Sequence, residues 1–82
     1  MAATKQDITR WLNEAPAGST HMAVVCDTYD WDDYPVYVAQ GEDPHVKLAT
    51  YEKGENMAKL MEVYKFSMSL TDQLNEHRAK NY

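Results

Sequence analysis

A single cysteine, Cys26, stands among the 82 residues, so no internal disulfide can form. No Cys or His falls at zinc-ligand spacing, and no H-E-x-x-H pair is present. The three glycines are isolated. Neither a phosphate-cradling loop nor a G-x-S-x-G turn can be drawn from them, which argues against nucleoside triphosphate chemistry. Positive charge is also scarce. Eight Lys and Arg face thirteen Asp and Glu, for a net charge of −5. The basic residues are scattered, whereas nucleic-acid binders cluster theirs. No apolar run approaches the ~18 residues of a membrane span, and the first residues hold no apolar signal core. The expectation is a cytoplasmic protein with a reduced thiol, bound to neither membrane nor nucleic acid. Repeats and low-complexity tracts are missing too.

What is present fits one small domain. A chain of this size buries only about 60–65% of its unfolded surface, so its core is thin. Without disulfide or metal, oligomerisation is the remaining route to extra burial.

Residues 4–14 read as a helix. Thr4 and Asp7 have capping-box spacing. Ile8, Trp11, Leu12 and Ala15 then recur on one face, until Pro16 and Gly18 stop the pattern. Residues 21–40 read as a β-hairpin. Met22, Ala23, Val24, Val25 and Cys26 are apolar without alternation, which predicts a strand covered on both faces. Pro35 then opens a second strand, as its missing N–H permits. Two strands alone are marginal in water, so either helices cover both faces or a second copy adds strands. Residues 44–53 read as a short helix, with Asp43 as N-cap, Pro44 in the first position and Gly54 just beyond its end. Val46, Ala49 and Tyr51 are its expected inward residues.

From residue 56 a stripe of Met57, Leu60, Met61, Tyr64 and Met68 keeps 3.6-residue spacing, widened by Val63, Phe66, Leu70 and Leu74. One helix over residues 56–79 is expected. At 1.5 Å per residue it would span roughly 35 Å. The competing reading breaks it near Ser67 to Ser69, where Ser69 and Asp72 repeat the capping-box spacing. So broad an apolar arc on so small a chain predicts an interface.

The turn between the strands gathers Asp27, Asp30, Asp32 and Asp33 with Tyr29, Trp31 and Tyr34. Three roles stay open for the acids: a solvated turn whose carboxylates cap backbone amides, an acidic patch facing a partner, or a divalent-cation site. D-x-D-D lacks the EF-hand ligand order, its Gly and its closing Glu. For Trp31 the alternatives are a core or self-association contact, a foreign partner, or a stacked small ligand. Cys26 and His21 lie five apart on one strand and so face opposite sides, which excludes a local catalytic dyad. His45 sits in the first turn of a helix. His77, with Arg78, suits the negative end of a helix dipole.

The run T-H-M-A-V-V-C-D-T-Y-D-W-D-D-Y-P-V-Y-V, followed by G-E-D-P, M-E-V-Y and Q-L-N-E-H-R, resembles a group of short uncharacterised proteins of phages and bacterial genomes. The resemblance spans about Trp11 to Arg78. It implies no catalytic residue. It does imply a context in which small acidic accessory proteins inhibit host systems by binding.

The expected fold is therefore α+β: a helix, a β-hairpin, a short helix and a long C-terminal helix. The hairpin sheet would be completed or covered in a homo-oligomer through Val25, Val36, Val38, Met57, Met61, Tyr64 and Met68. The expected function is a non-enzymatic interaction protein, a phage-type inhibitor of a host protein. Its partner-binding residues would be Tyr29, Asp30, Trp31, Asp32, Asp33 and Tyr34. No catalytic residue, metal or cofactor is assigned. The alternatives are a sponge for a nucleotide-like small ligand in an intersubunit pocket, and a metal-dependent hydrolase using Asp27, Asp30 and Asp32.

Overall fold

Two valines flanked by Met22, Ala23 and Cys26 leave no polar side for a strand to turn to water. In the computed structural model, which describes residues 3–76 and 78–82, that run lies in β1 (Ser19–Asp27). It is the middle strand of an antiparallel sheet, between β2 (Asp32–Ala39) and β3 (Ala58–Lys65). Met22 to Cys26 are all buried. The two-sided coverage read from the sequence is present. The third strand, however, comes from the chain itself, so completing the sheet requires no second copy.

Each face of β1 has its own core. Ala23 and Val25 point into one, with Val38, Leu48, Ala58, Leu60 and Val63. Met22 and Val24 point into the other, with Ile8, Leu12, Tyr64 and Ala79. The first is roofed by the short helices α2 (Pro44–Lys47) and α3 (Ala49–Glu52), the second by α1 (Lys5–Asn13) and α4 (Leu70–Leu74). Burying each aliphatic side chain contributes about 1.5–3 kcal/mol, so two thin layers on one strand serve where one thick core cannot form. The α1 capping box is complete, with the Thr4 hydroxyl accepting from the Asp7 amide and the Asp7 carboxylate from the Thr4 amide. Asp43 caps α2 through the His45 amide. Leu48 is the residue of this segment that is fully buried, whereas Val46, expected inward, is 73% exposed. The helical segment breaks at Leu48, and that break rotates the face.

The long C-terminal helix does not exist. Residues 58–65 form β3, and among the described residues the helix that follows it is α4, five residues long. The reason lies in a bulge. Val24 pairs with Glu62 but Val25 with Leu60, so Met61 is an extra residue in β3. An extra residue shifts the phase of a period-2 strand by one. Ala58 and Leu60 share a face with Val63, while Tyr64 and Met61 reach the other core. Apolar residues at 60, 61, 63 and 64 then imitate helical spacing although the backbone is extended. The competing reading, two helices broken near Ser67 to Ser69, holds only in its second half: a strand precedes the turn, and the Ser69 hydroxyl accepts from the Asp72 amide at the start of α4.

Both outer edges of the sheet are partly covered by the chain. On β2, Pro35 lacks an N–H, the Lys47 ammonium donates to the Tyr37 carbonyl and the Glu42 carboxylate accepts from the Ala39 amide. On β3, residue 80 forms a parallel bridge with Val63, through Val63 N–H to Ala79 O and Asn81 N–H to Val63 O. The Gln73 amide, fully buried, accepts from Lys65 N–H and donates to Lys65 C=O. Of the residues expected at an oligomer interface, Val25, Val38 and Tyr64 are consumed by the chain's own cores, and Val36 and Met61 are partly buried against them. Met57 and Met68 are exposed, but they sit beyond opposite ends of β3. His77 lies outside the described residues.

Candidate functional site at the hairpin tip

Four residues, 28–31, join β1 to β2. Asp27 starts the turn: its carbonyl accepts from the Trp31 amide at 2.6 Å and its carboxylate from the Tyr29 amide at 2.8 Å. Asp30 repeats the device on the Asp32 amide at 3.1 Å. These are Asx turns, the local bonds for which Asp is favoured in loops. Closing the loop requires a left-handed residue, usually Gly or Asn. Here it is Trp31, at φ 63°. That geometry costs on the order of 1 kcal/mol for a residue with a Cβ.

A second loop leans on the first. Residues 54–57 lead into β3, and the Met57 carbonyl accepts from the Thr28 amide at 2.8 Å. Asn56 and Met57 are both left-handed, at φ 56° and 58°. The three positive-φ residues other than glycine among those described therefore meet at one end of the sheet.

The side chains at this end point outward. Tyr29 is 78% exposed, Trp31 63% and Met57 53%, and Asp30 and Asp32 are exposed beside them. Tyr34 lies at the margin. Burial, with Tyr51 and Asp27 nearby, pushes its hydroxyl up from the usual value. Asp33 turns back toward the body of the domain, where its carboxylate accepts from the Ala3 amide at 2.8 Å. Of the six residues expected to bind a partner, Asp33 is thus partly structural. The remaining five, with Tyr34 at the edge, form the tip. Met57, expected at an oligomer interface, stands at this tip, beside Asn56, which the residue pattern assigns to no site. The signal was the run Gly54, Glu55, Asn56, since Asn tolerates the left-handed region better than other residues with a Cβ.

The acids do not converge. Asp27 and Asp30 spend oxygens on backbone amides, and among the described residues no three His, Cys, Asp or Glu side chains are placed to hold a metal ion. Cys26 is buried below the tip. Burial first, and then Asp33, pushes its thiol up, which disfavours the nucleophilic thiolate. His21 lies at the other end of β1, on the other face. No helix among the described residues is long and apolar enough to cross a membrane. Compared with protein families, curated proteins and solved structures, the chain finds no match.

Proposed function

We propose that this chain is a binding protein whose hairpin tip engages a partner protein. The observation that carries the reading is the meeting of Trp31, Asn56 and Met57, all left-handed, at the end where Tyr29, Trp31 and Met57 are exposed. Backbone strain persists only where the surrounding structure enforces it, and it gathers at functional sites. Aromatic side chains have few rotatable bonds, so they lose little entropy on docking, and they dominate interface energetics. Asp30 and Asp32 flank them, so the matching surface is an apolar socket with a basic rim, approached faster at low salt. By the resemblance to phage proteins, the partner is a host protein that the tip inhibits by occupying its surface.

Affinity capture from a bacterial lysate tests this, run in parallel with the wild-type chain and with Tyr29→Ala/Trp31→Ala. The expected result is a protein retained by the wild type and lost by the variant, while circular dichroism shows the same folded spectrum for both. Identical captures by the two proteins would overturn the proposal.

A further inference from the structure

The opposite end of the sheet carries a cleft of about 560 Å³, within the usual range of small-molecule sites. Its lining includes Thr20, His21, Gln40, Lys65, Phe66 and Ser67. It opens where β1 bulges at Thr20, between the Ser19–Ala39 and His21–Val38 pairs. Bulges are over-represented beside binding sites because they re-aim side chains.

Charge distinguishes this cleft from the rest of the molecule. Of the thirteen acidic residues, none lines it. Lys65 does, half-buried, and among the described residues no carboxylate comes within ion-pair distance of its ammonium. A bound anion would give that ammonium a counter-charge, which no carboxylate among the described residues supplies within ion-pair distance. The Ser67 hydroxyl and the Gln40 amide, with no side-chain partners among the described residues, add neutral donors around it. His21 forms the floor opposite Lys65 in the β1–β3 register. Its Nε2–H donates to the backbone oxygen of Tyr82 at 2.7 Å, and its Nδ1 accepts from the Thr20 hydroxyl at 2.8 Å. Lys65 on β3 and His45 on α2 are the charged or titratable groups that press on it, and both disfavour a proton there.

We infer that this cleft binds a small organic anion, a phosphate or carboxylate group on a carrier that lies against Phe66, with the Lys65 ammonium as its counter-charge. The site is separate from the tip and does not depend on it. Amide chemical shifts followed by NMR test it, with inorganic phosphate, a nucleoside monophosphate and succinate as three separate probes. Saturable shifts are expected at Ser19, Thr20, His21, Gln40, Lys65, Phe66 and Ser67, with a Kd of about 1 mM or tighter. Lys65→Met should weaken binding about tenfold, the loss of one charge-assisted contact. Lys59→Met, at the tip end of the same strand, should leave it unchanged, as should Tyr29→Ala/Trp31→Ala. A response to either phosphate probe but not to succinate assigns a phosphate group, and a response to succinate assigns a carboxylate. Absence of saturable shifts with all three probes, or equal shifts in Lys65→Met, would overturn the inference.

Discussion

The two ends of β1 are built on opposite plans. At the tip the chain spends conformational energy to keep side chains outside: three left-handed residues, two protruding aromatic rings and an exposed methionine. At the cleft end it spends side chains to close backbone: Gln73 on Lys65 and His21 on Tyr82, with the Asn81 side-chain amide donating to the Gln73 side-chain oxygen behind them. Both ends hang from the same buried run of Met22 to Cys26, whose two cores supply the stability that each end draws on. Removing side chains should therefore be expensive at the cleft end and nearly free at the tip.

The largest effect is expected at Gln73. Gln73→Leu strands the Lys65 N–H in a buried place and removes the bonds to Lys65, Met68 and Ser69 carbonyls. A loss of about 2–3 kcal/mol follows, because an unsatisfied buried donor forfeits its full desolvation cost. Urea denaturation would measure it, and a loss below about 0.5 kcal/mol, the ordinary range for surface substitutions, would erase the contrast between the ends.

The second effect is on pH. Burial first, then Lys65 and His45, holds the His21 imidazole below its ordinary value of 6.5. The unfolded chain therefore takes up a proton at a higher pH than the folded one. Stability is full above about 6.5 and declines as pH falls from there through the folded value. Denaturation midpoints at stepped pH should show that slope in the wild type and a flatter one in His21→Asn. Equal slopes in both proteins would remove His21 as the titrating group.

Parts of this architecture were legible in the residues, and the failures have physical causes. Thr4 with Asp7, Asp43 with Pro44, and Gly54 marked helix ends because capping is local chemistry. The unalternating run of β1 announced coverage on both faces for the same local reason. β3 was not legible. Its bulge at Met61 combined with two buried faces puts apolar residues where a helix would put them, and only the pairing partner resolves the ambiguity. With a strand in place of a long helix, the broad uncovered apolar arc that predicts an oligomer is absent from the described residues. The Asp-rich turn, with carboxylates that cap backbone amides, was readable, but whether Trp31 packs inward or stands outward was not, because that depends on the tertiary surroundings of the turn. The cleft was not, because Thr20, Gln40 and Lys65 come from widely separated stretches and meet only through the sheet.

A smaller effect sharpens the tip itself. Met57→Gly relieves a left-handed residue with a Cβ, and the gain exceeds the added entropy of the unfolded chain by about 0.5 kcal/mol. Its urea midpoint should rise with the slope unchanged. A fall would mean that the Met57 side chain supports the fold.

Trp31 decides the account. A tryptophan that belongs to a core costs about 3–5 kcal/mol when removed. One held outward in a strained turn costs far less, about 1 kcal/mol or below, and glycine suits its φ of 63°. The equilibrium stability of Trp31→Gly, measured by urea unfolding alongside capture of the partner, should stay within about 1 kcal/mol of the wild type while capture is lost. A protein destabilised by several kcal/mol, or one that still captures its partner, would contradict the claim that the tip is the binding end.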